Sequence, residues 1–188
     1  GRVHERRTGT NERAGIERIM KRIGIFGGTF DPIHYGHISV AEHALRQAGL
    51  DELWFVVSPH NPLKKEEEIK EAGQRLQEAR KALTEFPEFK VSDIEFNLPC
   101  PSYMAQTLRT LQKKYPGNDF VLIIGGDNLD VFEQWKDYRF LLDHYDILVY
   151  PRPGSTNRVP GEWTRVSLLD APLMDVSSTR IRQTQHRR

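Results

Sequence analysis

Residues 24–37 read GIFGGTFDPIHYGH, and the order of residue types in this stretch decides the fold. The apolar run RIGIF (22–26) ends in two glycines, followed by an Asp-Pro pair, two histidines three apart, and a helical pattern. Glycines directly after a buried strand, Gly27 and Gly28, let the backbone pass close to a ligand and take up positive φ, which a side chain penalises. Asp31-Pro32 is a turn signal. The spacing predicts a helix starting between Tyr35 and His37. Its unpaired N–H groups and the positive end of its dipole then make an anion site, with His34 and His37 on one face. No third glycine stands where the dinucleotide fingerprint needs it, and no Gly-Lys-Ser/Thr ending marks a phosphate loop. His-x-x-His also reads as half of a metal site, but no third His, Cys or carboxylate completes one at a local spacing. The residues alone also allow a capped helix with two surface histidines.

Working outward, short apolar runs alternate with helical patterns. Ile38, Ala41, Leu45 and Ala48 form a helix face with Gly49 as its C-cap. ELWFVV (52–57) reads as a strand. The polar loop SPHNPLKK leads to a helix whose face is Ile69, Ala72, Leu76, Ala79, Leu83 and Phe86. FKVSDIEF (89–96) reads as a strand and PSYMAQTLRTLQKKY as a loop entering a helix. FVLIIGGD (120–127) is a buried strand that again ends at Gly-Gly. A broken helical stretch to about His144, the strand DILVYP, a Pro/Gly loop over 151–160, a short strand RVSLL and a capped helix start in DVSSTRIRQ complete the chain. Strands separated by helices imply βαβ units: an α/β, doubly wound, mainly parallel sheet of Rossmann-like form. In such sheets ligands sit beyond the carboxyl ends of the strands. Both Gly-Gly turns, the SPHNPLKK loop and the YPRPG loop fall there and are predicted to converge on one crevice.

The bulk properties narrow the class. A chain of 188 residues with 38% hydrophobic and 28% charged residues is an ordinary globular balance and reads as one domain over 20–188. No apolar run approaches the roughly 20 residues of a membrane helix. The single cysteine, Cys100, leaves no internal disulfide framework or Cys-rich metal site and fits a reducing cytoplasm. A net charge of +1 gives no reason to expect nucleic acid as a partner. Residues 1–19 hold five Arg and three Glu without a periodic face. They read as a disordered leader or appended extension, with Met20 as the natural start and a basic nucleic-acid arm as the weaker reading.

The motifs resemble a known family. GGTFDPIHYGH resembles the (H/T)xGH signature of the nucleotidylyltransferases related to class I aminoacyl-tRNA synthetases, and SSTRIR (177–182) resembles their second signature. GGDNLDVFEQW (125–135), YPRPG (150–154) and PSYMAQTL (101–108) resemble the nicotinate mononucleotide adenylyltransferases in particular. The resemblance covers about residues 22–182, with five motifs in the family's order.

The resemblance implies a Rossmann-like nucleotidylyltransferase fold and transfer of the adenylyl group of ATP to nicotinate mononucleotide, with Mg²⁺ held mainly through ATP phosphates. His34 and His37 are then catalytic donors to phosphate oxygens, with His37 nearest the developing charge, and Arg182 lies along the triphosphate. Gly27, Gly28, Thr29, Phe30, Asp127, Ser177, Ser178 and Thr179 fall in the ATP site, with Asp127 a ribose acceptor or an N-cap. Lys64, Lys65, Ser102, Tyr103, Met104, Trp135 and Arg152 fall in the mononucleotide site. There Trp135 stacks on the pyridine ring, the Lys pair and Arg152 reach phosphate or carboxylate, and backbone N–H groups near Tyr103 and Met104 meet the nicotinate carboxylate. Ser177 as a simple N-cap, Arg182 as a solvated side chain and the Lys pair as a solvated helix start stay open.

Two departures from the family pattern stand out. Met104 occupies a position where a threonine is common, and the chain stops six residues after Arg182. The alternatives are a sister enzyme using phosphopantetheine, flavin mononucleotide or glycerol phosphate, and a non-catalytic nucleotide sensor. Partners are otherwise small molecules, without nucleic acid or membrane, and a homo-oligomer is compatible.

Overall fold

The computed structural model describes residues 20–59, 65–99 and 101–173. Strand β1 (Arg22–Gly28) leads into helix α1 (Tyr35–Gln47), and β2 (Glu52–Val57) into α2 (Glu66–Ala82). β3 (Phe89–Ser92) and a 3₁₀ turn (Ile94–Asn97) precede α3 (Met104–Lys114) and β4 (Asp119–Gly125). The short helix α4 (Gly126–Asp130), a 3₁₀ turn (Phe132–Gln134) and α5 (Tyr138–His144) lead to β5 (Asp146–Tyr150) and β6 (Val166–Leu168). The sheet order is β3-β2-β1-β4-β5-β6, and every neighbouring pair runs parallel. The predicted doubly wound α/β fold is therefore the one observed.

Parallel strands covered by helices on both faces read as continuous apolar runs, and successive residues here feed opposite cores. Phe26, Phe55, Val121 and Ile123 pack with Val40, Ala41 and Ala44 of α1 and Leu76 and Ala79 of α2. Ile23, Ile25, Leu122, Ile124 and Ile147 pack with Ala105, Leu108 and Leu111 of α3 and Leu141 of α5. β1 lies between β2 and β4, so the chain reverses its direction across the sheet there. The carboxyl ends of β1 and β4 flank the switch point where a crevice opens.

Four local expectations are corrected. Gly27 and Gly28 do not take positive φ; they extend β1 to its last residue, and Phe30 turns the chain instead, with φ 48°. Absence of a side chain still matters there. A Cβ on Gly27 would sit 3.0 Å from the Met104 methyl, and one on Gly28 3.2 Å from the Phe30 ring. The strand expected over 89–96 ends at Ser92, whose Oγ accepts the Ile94 N–H and starts the 3₁₀ turn. Ile69 is 50% exposed, and the buried stripe of α2 begins at Ala72 and includes Arg75. The fourth strand ends at Gly125, which caps α4, so Asp127 lies inside the first turn of a helix and is not its cap.

Candidate active site

Helix α1 starts where the spacing predicts, and His34 is its N-cap. The Gly36 N–H donates to His34 Nδ1 at 3.1 Å, and the His34 N–H donates to His37 Nδ1 at 3.2 Å. An Nδ1 that accepts a hydrogen bond cannot carry the proton, so each neutral ring carries it on Nε2. Two helix-start N–H groups are thereby capped by imidazoles, and both rings are turned into Nε2–H donors. The rings lie 3.8 Å apart between centroids. The edges of Phe30 and Phe26 hold His37, at 5.0 and 6.0 Å.

Burial pushes the His37 pKa down from 6.5 to about 3, with further lowering from His34 and then from the Arg152 cation. His37 is therefore neutral at pH 7. Its folded-state pKa lies below the unfolded one, so the folded chain refuses a proton that the unfolded chain takes up below pH 6.5. The associated stability is complete above pH 6.5 and is lost as pH falls towards 3, at up to about 1.4 kcal/mol per pH unit. In urea unfolding at pH 7.5, 6 and 5, His37→Gln is expected to lose stability less steeply than the parent. Parallel curves would place the His37 ring in water.

Beside this pair a cavity of about 370 Å³ is lined by Gly27 and Gly28 from β1, Ser102, Tyr103 and Met104 at the start of α3, and Trp135 after the second 3₁₀ turn. Its size suits a nucleotide-scale ligand. Trp135 packs on Phe132, centroids 5.0 Å apart, and presents the rest of its ring to the cavity. Lys136, also at the wall, holds its ammonium 5.0 Å from the Tyr103 ring centroid. Sequence reading missed Lys136, and it missed Glu95, a buried carboxyl in the same wall. Burial raises the Glu95 pKa, against hydrogen bonds from Thr107 and Ser58 that lower it. The Thr107 Oγ1 lies 2.8 Å from Glu95 Oε2.

The β5 exit adds a cation. Arg152 Nη1 stands 3.7 Å from Asp127 Oδ2, an open pairing with Asp127 53% exposed. Its Nε is buried without a hydrogen-bond partner among the described residues. Asn157, at φ 51°, closes this loop: its Oδ1 accepts the Arg152 N–H at 2.9 Å and its Nδ2 donates to the Arg152 carbonyl at 3.0 Å. Gly126 is required here, because its Cβ would overlap the Asn157 carboxamide. A Gly-Gly end followed by YPRPG signalled a loop, but only the fold shows Asn157 locking it.

The cavity wall thus brings together Gly27, Gly28, Ser102, Tyr103, Met104 and Trp135. His34, His37, Arg152 and Asp127 are not in that wall; they are joined by the His34–His37 ring contact, the Arg152–Asp127 pair and the Arg152 charge felt at His37. Thr29 turns its carbonyl away, to Arg75, and the Phe30 ring is buried against Phe26 and Phe55, which leaves backbone as what Phe30 can offer a ligand. Lys65 is exposed at the head of α2 and is absent from the cavity lining. Lys64, Ser177, Ser178, Thr179 and Arg182 lie outside the described residues. Among the described residues no helix is long and apolar enough to cross a membrane, and no three His, Cys, Asp or Glu side chains are grouped as a metal cage requires.

Comparison with known proteins places the chain among relatives. A model of the cytidylyltransferase-like family matches residues 25–184. A protein of Cytophaga hutchinsonii named "probable nicotinate-nucleotide adenylyltransferase" is 46% identical over 161 residues, 86% of this chain and 84% of the relative. One of Bacteroides fragilis with the same name is 43% identical over 162 residues, 86% of this chain and 81% of the relative. Among solved structures, the Plasmodium falciparum nicotinic acid mononucleotide adenylyltransferase complexed with NaAD superposes with a TM-score of 0.66 at 19% identity. That match covers 87% of this chain and 83% of that one, a likeness of fold.

Proposed function

The chain belongs to the cytidylyltransferase-like family and, within it, to the nicotinate-nucleotide adenylyltransferases; from that premise we propose that its crevice joins ATP to nicotinate mononucleotide, giving nicotinate adenine dinucleotide and pyrophosphate in NAD biosynthesis. One observation carries the reading. The aromatic slot between Trp135 and the start of α3 shares its Gly27–Gly28 floor with the turn that leads to the His34–His37 donor pair. A pyridine mononucleotide seated there points its phosphate at the anion site.

The chemistry asks little of a base. The acceptor phosphate is already largely dianionic at pH 7, its second pKa being about 6. One of its oxygens bonds to the α-phosphorus of ATP while the bond to the β-phosphate oxygen breaks, and the electron pair leaves with pyrophosphate. The protein must hold two polyanions in line and stabilise charge on the transferring group. His34 and His37 supply Nε2–H donors and Arg152 a guanidinium. Asp127 accepts from a ribose hydroxyl, and Ser177, Ser178, Thr179 and Arg182 complete the triphosphate site. Mg²⁺ enters bound to ATP, as part of that substrate, held mainly through its phosphates. Lys64 and Lys65 serve the approach of the acceptor phosphate. Partners are small molecules in the cytoplasm, without nucleic acid or membrane.

The test is pyrophosphate release from MgATP with nicotinate mononucleotide, its amide, flavin mononucleotide and phosphopantetheine in parallel. Release with the nicotinate compound supports the reading. Release with flavin mononucleotide or phosphopantetheine alone moves the substrate, and no release from a protein that binds ATP makes it a sensor. Within the same assay Trp135→Ala is expected to raise the KM for the mononucleotide about tenfold or more, since base stacking contributes about 1–3 kcal/mol, with little change in kcat. An unchanged KM would remove the stacking role.

A further inference from the structure

Arg75 is a buried cation on the face of α2 that otherwise carries Ala72, Leu76 and Ala79. It is 7% exposed, and among the described residues it forms no ion pair. Its Nη1 donates to the Thr29 carbonyl at 2.7 Å and to the Ser58 carbonyl at 2.8 Å, and its Nη2 donates to the Pro59 carbonyl at 3.1 Å. Among the described residues the charge is held by neutral carbonyls, an arrangement that costs more than an apolar side chain of the same size. What the guanidinium does at this position is join two loops.

Thr29 belongs to the turn that runs from β1 to His34 and His37. Ser58 and Pro59 form the exit of β2, which leads towards Lys64 and Lys65, and Ser58 lines the cavity. The loops also meet directly, the Ser58 N–H donating to the Gly28 carbonyl at 2.8 Å. Ser58 continues the connection through its hydrogen bond to Glu95, and Glu95 reaches Thr107 on α3, one helical turn from the cavity-lining Met104. A polar path thus runs through the cavity wall from α2 to α3, with Arg75 at its head.

We propose that Arg75 is a positioning residue for the transfer step: its guanidinium fixes the separation of the donor loop at Thr29 and the acceptor loop at Ser58–Pro59, so that the two reacting phosphates meet in line. The proposal rests on the adenylyl-transfer reading above. A planar fork reaches three carbonyls on two loops, whereas a lysine ammonium is a single point charge. A misplacement near 1 Å between reacting groups costs about 10² in rate.

The experiment uses the full chain with Arg75→Met and Arg75→Lys. In the substrate-free protein, amide exchange at Thr29–Phe30 and at Ser58 is expected to rise together, by about tenfold or more in Arg75→Met. With MgATP and nicotinate mononucleotide, kcat is expected to fall about 10²-fold while ATP affinity stays within about threefold, Arg75→Lys lying between. Unchanged exchange at both loops overturns the proposal, as does a kcat loss no larger than the loss of ATP affinity. If Arg75→Met does not fold, Arg75→Lys with parental kcat and parental exchange overturns it too. A parent chain inert with nicotinate mononucleotide defeats the functional reading, while the exchange measurement still decides whether Arg75 clamps the loops.

Discussion

His37→Ala lowers the rate of pyrophosphate release by about 10²- to 10³-fold, the usual consequence of removing one preorganised donor from a transition state, and leaves the affinity for nicotinate mononucleotide nearly unchanged. The expectation follows from how the ring is held. Its Nδ1 accepts the His34 N–H, which places the proton on Nε2, and Phe30 and Phe26 fix its plane. With its pKa near 3 in the ligand-free protein the ring is a neutral donor in the free enzyme throughout the working range. It therefore meets the substrates as a neutral donor, and kcat/KM, which reports the free enzyme, carries no limb from His37 between about pH 5 and 8. An acid limb near pH 6 belongs to the acceptor phosphate. Alanine also removes one capping hydrogen bond, a contribution of about 1 kcal/mol to stability. His37→Gln separates the two effects, because its carboxamide can still accept the His34 N–H. Kinetics of both variants, well below the melting temperature, make the check. Parental turnover in His37→Ala with a raised mononucleotide KM would move the residue out of the transferring-phosphate site.

The sheet was legible because its strands are buried on both faces. FVLII and ELWFVV each feed two cores, so they read as unbroken apolar runs ended by glycine or a polar loop. The start of α1 was legible for a similar reason, since a turn signal and two capping-competent side chains stand at helical spacing. What escaped was decided by contacts distant in the chain. Gly27 and Gly28 are needed for the approach of Met104 and the Phe30 ring, not for their φ, and nothing local distinguishes these reasons. Arg75 sits on a helix face where periodicity favours an apolar residue, and its carbonyl partners lie 16 to 46 residues away. Glu95 falls in a segment that reads as a strand, and it is the 3₁₀ turn after Ser92 that carries it into a buried position. Asn157 lies in a loop whose composition says only that it is a loop. Local propensity identifies elements, and burial of a polar group has to be seen in three dimensions.

Arg152→Met is expected to lower turnover about 10²-fold and, in the same protein, to raise the His37 pKa above its value near 3. Both follow from one side chain. The Arg152 backbone is pinned through Asn157 on both its N–H and its carbonyl, and Thr156 next to it is held by Asp130. The loop therefore does not wander. Among the described residues the guanidinium meets one acid, Asp127 at 3.7 Å, beside a hydrogen bond to Tyr150. An exposed ion pair of that kind contributes about 0–1 kcal/mol. Neither contact serves Nε, which is buried without a partner among the described residues, and an unsatisfied buried donor costs about 1–3 kcal/mol. A phosphate oxygen in the crevice would satisfy it, and the phosphate would be stabilised in turn. The cation also depresses the His37 pKa, behind burial and His34, so removing it moves that pKa upward but not back to 6.5. Proton NMR titration of His37 beside steady-state kinetics separates the contributions. Arg152→Lys keeps the charge and loses the Nε–H. If lysine restores the His37 pKa but not the rate, directed hydrogen bonding to phosphate is what Arg152 supplies. If it restores both, the positive charge suffices. A rate unaffected by either substitution, with the His37 pKa still rising in Arg152→Met, would make Arg152 an electrostatic neighbour of the site and no part of its chemistry.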